Sequence, residues 1–236
     1  MSYIPTFKTH EFHKPSQHYE FDINGRTLLI AKIRKNASTA LKIFHQNENS
    51  KIIKAKQRNS KNYSHKVIFY RDPLARFISI FLNKFVDNSG AKDIKKNFLK
   101  LAPMSIETMK FSDYVEYSKN DFSQLDCHFR PQKSYLWEIE YDSPININNL
   151  HDSMSRLIGQ RKSDVYFSKK INKSHGGAQL IDDLLIDKNI TELRELKNYG
   201  YTLLPSNFIS PDIETYVKQR YSVDYEMITD IQSQIS

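Results

Sequence analysis

An α/β fold with a central, mostly parallel sheet flanked by helices is what this sequence predicts, and a pattern that occurs twice predicts it. In residues 28–42 a short apolar run (Leu28, Leu29, Ile30, Ala31) passes through a basic, small-residue turn into a helix. In residues 67–81 a second run (Val67, Ile68, Phe69, Tyr70) passes through Arg71 and Asp72 into a helix opened by Pro73. A compact apolar run bounded by polar residues is how a strand buried on both faces of a parallel sheet reads. Strand–turn–helix units in series build such sheets, and their ligands collect at the carboxyl ends of the strands. Composition agrees: 39% hydrophobic and 12% aromatic residues over 236 positions suit one large domain with a real core, not a disordered chain.

In chain order, residues 1–18 are polar, contain Pro5 and Pro15, and predict an extended N-terminal arm, with residues 19–236 as one domain. His10, His13 and His18 fall in or beside that arm, at a spacing that matches no standard metal set. Asn24-Gly25 is a strong turn signal and predicts a hairpin between residues 19–23 and 27–31. A helix is expected over 37–46. Residues 47–65 read as a solvated loop with one short amphipathic segment at Ile52 and Ile53. The helix opened by Pro73 carries an apolar stripe of Leu74, Phe77, Ile78 and Phe81. Beyond the polar break at Asn88, Ser89 and Gly90 come a basic helix and one or two helices within 105–119. Alternation over 135–141 predicts a strand, 150–158 a helix ended by Gly159, and 164–167 a strand. Helices are expected from Asp187 or Asn189 to Asn198, over 211–220 and over 221–228.

The net charge is +8, which favours anionic partners without choosing among nucleic acid, lipid, nucleotide or acidic glycan. Lys51, Lys54, Lys56, Arg58, Lys61 and Lys66 make one stretch locally basic, but Tyr63 is the lone aromatic there, which is poor for stacking bases. One cysteine, Cys127, precludes an intrachain disulfide and suits a reducing compartment. No run of transmembrane length is present, so a cytoplasmic protein is expected.

The first turn has the makings of an anion site. A helix start presents free backbone N–H groups and the positive end of its dipole, Lys35 adds charge, and Ser38 and Thr39 can cap the helix or bond an anion. An ordinary capped connection reads the same way. Lys35-Asn36-Ala37-Ser38-Thr39 also resembles the 5′-phosphosulfate loop of the carbohydrate sulfotransferase families, usually Pro-Lys-x-x-Ser/Cys-Thr, with Arg34 here in place of proline. Arg71-Asp72-Pro73-Leu74-Ala75-Arg76-Phe77-Ile78-Ser79 resembles their 3′-phosphate motif. Asp126-Cys127-His128-Phe129-Arg130-Pro131-Gln132 is similar to their His-aromatic-x-Pro segment, and Tyr221-x-x-Asp224-Tyr225-Glu226 to their C-terminal ending.

The resemblance implies a P-loop-like sulfotransferase fold and transfer of a sulfuryl group from 3′-phosphoadenosine 5′-phosphosulfate to a hydroxyl, of a carbohydrate in the first instance. By the same resemblance Lys35, Asn36, Ala37, Ser38 and Thr39 hold the 5′ end of the donor, and Arg71 and Ser79 hold the 3′-phosphate. A late loop contributes Lys173 and Ser174, and His128 is the base. Lys35 stabilises the leaving phosphate oxygen, so no metal is required. Animal members of these families carry an N-terminal membrane span, so a chain without one implies a bacterial-type, cytoplasmic enzyme. Chemistry supports the assignments: a guanidinium fork suits a phosphate dianion, and imidazole titrates where a hydroxyl needs a base. Two rivals remain. A kinase or NTPase lacks support, because residues 33–39 contain none of the glycines of a phosphate loop. A basic nucleic-acid-binding module rests on charge alone. The acceptor and the oligomeric state are not encoded in any motif.

Overall fold

The computed structural model describes residues 2–7, 17–57, 62–168 and 179–234. In chain order they form strands β1 (His18–Ile23) and β2 (Arg26–Ala31), helix α1 (Ser38–Asn47), and strands β3 (Ser50–Ile53) and β4 (His65–Tyr70). Next come helices α2 (Pro73–Phe81), α3 (Lys92–Leu101) and α4 (Phe111–Ser118), strand β5 (Ser143–Asn146), and helices α5 (Leu150–Ile158) and α6 (Gln160–Tyr166). The chain ends with the short strand β6 (Gln179–Leu180), α7 (Ile190–Asn198), the short strand β7 (Tyr201–Thr202), α8 (Pro211–Arg220) and α9 (Ser222–Ser233). The chain divides into two compact units, one drawn from Met1–Asp72, Pro131–Ile171 and Tyr221–Ser236, the other from Pro73–Arg130 and Asn172–Arg220.

The first unit is built on a five-stranded sheet in the order β3-β1-β2-β4-β5. The α/β expectation holds, but the sheet is mixed. β1 pairs antiparallel with β2 and with β3, while β2–β4 and β4–β5 are parallel. The antiparallel half stems from Asn24 and Gly25, whose φ angles of 51° and 74° make the tight turn that the Asn-Gly pair favours. The parallel half is the strand–turn–helix half of the sequence.

Strand periodicity sorts the core. Phe21, Leu28, Ile30, Val67 and Phe69 face one side, where they pack with Leu41 and Phe44 of α1, Met154 and Ile158 of α5, and Phe167. Ala31, Ile68 and Tyr70 face the other, against Tyr135, Leu136 and Tyr141 and against Met227 and Ile231 of α9. Phe44 stacks on Phe21 at 4.4 Å and meets Phe167 edge-on at 5.4 Å. Phe44→Ala is therefore expected to cost about 3–5 kcal/mol, read as a loss of denaturant midpoint at unchanged slope.

Three local expectations are corrected. Residues 135–141 are not a strand: Lys133–Tyr135 forms a 3₁₀ turn, and beyond it only Tyr141 pairs, with Tyr3. The aromatics there are all turned inward to cover a sheet face, and Tyr141 Oη bonds both buried His18 (2.7 Å) and the Trp137 amide (2.9 Å). Residues 164–167 belong to α6 and its end, because Gly159, at φ 89°, breaks one helix and starts another. Ile52 and Ile53 lie in β3, an edge strand that pairs with β1, not in a loop. His10 and His13 fall outside the described residues.

Among its described residues the second unit has helices, the two-stranded pairing of β6 with β7 and a single antiparallel bridge between Lys110 and Asn189. Its core is aromatic: Phe77, Phe81, Phe85, Phe98, Phe111, Tyr114, Phe129 and Phe208 are all buried. Edge-on and tilted contacts link them, such as Phe81–Phe111 at 4.9 Å and Tyr114–Phe129 at 5.4 Å. The buried Tyr114 hydroxyl donates to Phe77 O at 2.9 Å. α7 begins with a capping box in which Asn189 and Glu192 satisfy each other's backbone N–H.

Candidate functional site

In the first unit, β2 and β4 run side by side in parallel, with Leu28, Leu29 and Ile30 opposite His65, Lys66 and Val67. Their carboxyl ends therefore lie side by side at the same end of the sheet. The chain following β2 carries Lys35, and the chain following β4 carries Arg71. This is the placement that the two sequence motifs require if they serve one ligand.

The loop after β2 is tightly shaped. Lys35 and Ala37 adopt left-handed backbone conformations, with φ of 68° and 52°. Such conformations cost L-residues roughly 1–2 kcal/mol each and persist only where the surroundings impose them. Asn36, between them, is buried, and its amide N donates to Ile33 O at 3.3 Å. α1 starts at Ser38 with Ala37 as N-cap and no side-chain cap bond. The N-cap position thus falls to an alanine, which has no side-chain acceptor, and not to Ser38 or Thr39, which lie within the first turn.

What imposes the loop shape is a chain of buried amides. Asn36 Nδ2 donates to Phe69 O of β4 at 2.7 Å and to Gln132 Oε1 at 2.5 Å. Gln132 then clasps Arg71 as a neighbouring strand would: Arg71 N donates to Oε1 at 3.0 Å, and Nε2 donates to Arg71 O at 2.8 Å. Gln132 is held in turn by Asp224, at the start of α9, whose carboxylate accepts the Gln132 amide at 2.8 Å and the Lys133 amide at 2.9 Å. Asn36, Gln132 and Asp224 are all buried. Turning either side-chain amide over would set oxygen against oxygen, so the network fixes both orientations.

In the second unit, His128 sits in a 3₁₀ turn, Cys127–Phe129, capped by Asp126. One carboxylate oxygen of Asp126 accepts from the His128 amide at 2.9 Å and from Nδ1 of its ring at 2.5 Å. A carboxylate only accepts, so Nδ1 carries a proton, and in the neutral ring the lone pair is then on Nε2. Asn97 Oδ1 of α3 accepts from the Asp126 amide at 3.2 Å and from the Tyr117 hydroxyl. Burial pushes the Asp126 carboxyl upward, but the His128 ring, the His128 amide and the Cys127 thiol outweigh it and hold it below the usual range. Burial, and then the charge of Asp126, push the Tyr117 phenol far above its ordinary value.

The donor atoms of Asp126, Cys127 and His128 lie within 4.8 Å of one another, the geometry of a metal-ligand group. The 2.5 Å between Asp126 Oδ1 and His128 Nδ1 is a hydrogen bond, however, and shorter than the roughly 3.3 Å separating two ligands of a tetrahedral ion.

Arg76, within the motif at residues 71–79, is turned inward. It is buried and donates to His128 O at 3.0 Å and to Arg130 O at 2.9 Å, so it braces the backbone of the histidine turn. Ser79 Oγ donates to Arg76 O at 2.8 Å, and its proton must swing away from the helix to meet an anion. Lys173 and Ser174 fall outside the described residues.

Sequence reasoning missed the work of Asn36, Gln132, Asp126 and Asp224. For Asp126 a signal existed: aspartate two positions before histidine is an N-cap pattern that brings the carboxylate to the ring. Gln132 and Asp224 stood out only as members of motifs, and the contact between them was not legible, because they lie far apart in the chain.

Among the described residues no helix is long and apolar enough to cross a membrane. No curated protein and no solved structure matches the chain. The model of the sulfotransferase family matches residues 10–228 of the 236. That match takes in both strand-end loops and the histidine turn, and the chain belongs to the sulfotransferase family.

Proposed function

We propose that this protein transfers the sulfuryl group of 3′-phosphoadenosine 5′-phosphosulfate to a carbohydrate hydroxyl in the cytoplasm. The observation that carries this reading is the parallel pairing of β2 and β4, from whose adjacent carboxyl ends the Lys35 loop and Arg71 follow. The backbone N–H groups of residues 37–39, the α1 dipole and the Ser38 and Thr39 hydroxyls bind the 5′-phosphosulfate end, in the loop shaped by Lys35 and Asn36. Arg71 binds the 3′-phosphate, joined by Ser79 and by Lys173 and Ser174.

In the reaction, the acceptor oxygen bonds to sulfur as the bond from sulfur to the 5′-phosphate oxygen breaks. The acceptor proton passes to His128 Nε2, and 3′-phosphoadenosine 5′-phosphate leaves. Lys35 neutralises the charge that grows on the departing oxygen. Asp126 keeps the His128 ring in the tautomer that can accept a proton and stabilises the imidazolium that forms. Cations of the protein supply the charge, so the reading needs no metal.

Calorimetry with 3′-phosphoadenosine 5′-phosphate and with ATP tests the donor site before any acceptor is known. The bisphosphate is expected to bind the more tightly. Arg71→Ala should weaken it by about 10- to 150-fold, the equivalent of one charge-assisted bond of about 1.5–3 kcal/mol. Tighter binding of ATP, with magnesium-dependent hydrolysis, would overturn the reading in favour of an NTPase.

A further inference from the structure

We propose that Gln132 is a positioning residue that sets the span between the two anion grips, so that its side chain selects a nucleotide phosphorylated at both ends. The inference rests on the donor site proposed above and adds to it a residue that touches no phosphate. Lys35 and Arg71 stand on separate loops, each shaped only in part by its own strand. The side chain of Gln132 joins them, with Oε1 accepting from Asn36 on one loop (2.5 Å) and from Arg71 N on the other (3.0 Å), and Nε2 donating to Arg71 O (2.8 Å). It is wholly buried and anchored through its own amide to the buried carboxylate of Asp224. The strut is therefore fixed at its base as well as at both tips.

The arrangement carries a visible cost. Asn36 Oδ1 is buried with no hydrogen-bond partner, and the residues on either side of Asn36 are left-handed. A loop serving only to connect a strand to a helix would relax both features. Holding the Asn36 amide against Phe69 O and Gln132 at once accounts for both. The physical consequence is one of bivalency. A ligand with two phosphates binds the second grip at an effective concentration that is highest when the span of the grips matches its own, and that falls when the span fluctuates. A ligand with one phosphate is indifferent to the span.

The test is calorimetry of wild type, Gln132→Ala, Asn36→Ala and the double variant with three probes: 3′-phosphoadenosine 5′-phosphate, adenosine 5′-monophosphate and adenosine 3′-monophosphate. In Gln132→Ala the bisphosphate is expected to lose about tenfold in affinity while each monophosphate changes less than twofold. Asn36→Ala cuts the same bridge from its other end and also removes the bond to Phe69 O that shapes the 5′ loop, so it should lose bisphosphate affinity at least as far as Gln132→Ala, and the double variant should lose little more than Asn36→Ala alone. Monophosphate binding serves as the internal control for folding. Should Gln132→Ala prove unstable, Gln132→Glu, which keeps the size but sets an oxygen against Arg71 O, is expected to show the same selective loss. Equal weakening of all three probes, or full additivity of the two substitutions, would overturn the strut. A wild type with no preference for the bisphosphate would instead overturn the donor site, and the role of Gln132 with it. A preference kept intact in both Gln132 variants would remove the Gln132 inference alone.

Discussion

His128→Ala is expected to lower kcat by about 10²- to 10⁴-fold while leaving the affinity for 3′-phosphoadenosine 5′-phosphate within about twofold, because the substitution removes proton transfer and no donor contact. Asp126→Asn separates the base from its support. The shape is kept, the charge that steadies the imidazolium is lost, and an amide in that place can hold the ring in the wrong tautomer. kcat should fall substantially with KM for the donor little changed. Near-full turnover in His128→Ala would remove the base assignment even with the donor site intact. The same carboxylate makes a prediction about stability. Because its pKa in the fold is depressed, its contribution is complete above the unfolded value of about 3.9 and is lost as pH falls through the lower folded value. The stability gap between wild type and Asp126→Asn, measured by urea unfolding, should be steady from neutral pH down to about 5 and close below about pH 4.

Lys35→Ala is expected to lower kcat by about 10²- to 10³-fold, the usual loss when a group that stabilises transition-state charge is removed. Lys35 has a left-handed backbone, at φ 68°, in the loop that leads from β2 to α1, and on the proposed reading the other donors of that loop are backbone N–H groups. Those donors remain in the variant, so binding of the bisphosphate product should weaken far less than turnover. Lys35→Arg should recover only part of the rate, since a planar fork does not sit where a point charge does. A kcat kept within about threefold of wild type in Lys35→Ala, with donor binding also retained, would show that charge on the leaving oxygen is met elsewhere. Both kinetic tests need only a turnover assay in which release of 3′-phosphoadenosine 5′-phosphate is monitored.

The second of the two strand–turn–helix units shows how far the sequence carries. Val67, Ile68, Phe69 and Tyr70 could be assigned to a buried strand, and Pro73 to a helix start, because both signals are local: a run of apolar side chains and a ring that fixes φ. Residues 135–141 show where it stops. Alternating apolar side chains read as a strand, yet without a partner strand they instead form an irregular cover in which Tyr135, Leu136, Trp137 and Tyr141 are all buried. The antiparallel half of the sheet was visible only as the Asn24-Gly25 hairpin. Pairing of β3 with β1 joins Ser50 to Phe21 and Ile53 to His18, and no local pattern announces it.

By itself, the sequence determined the α/β class and marked two loops and one histidine as candidates for the site, because each of these signals depends on residues next to one another in the chain. Only the tertiary structure decided that the two loops follow the carboxyl ends of neighbouring parallel strands, since strand order is a property of pairing and not of pattern. It also decided that Arg76 is a brace for the histidine turn and that Gln132 is a tie between loops. The fate of a buried polar side chain is set by whichever distant backbone group it must satisfy, and that group is chosen by the fold.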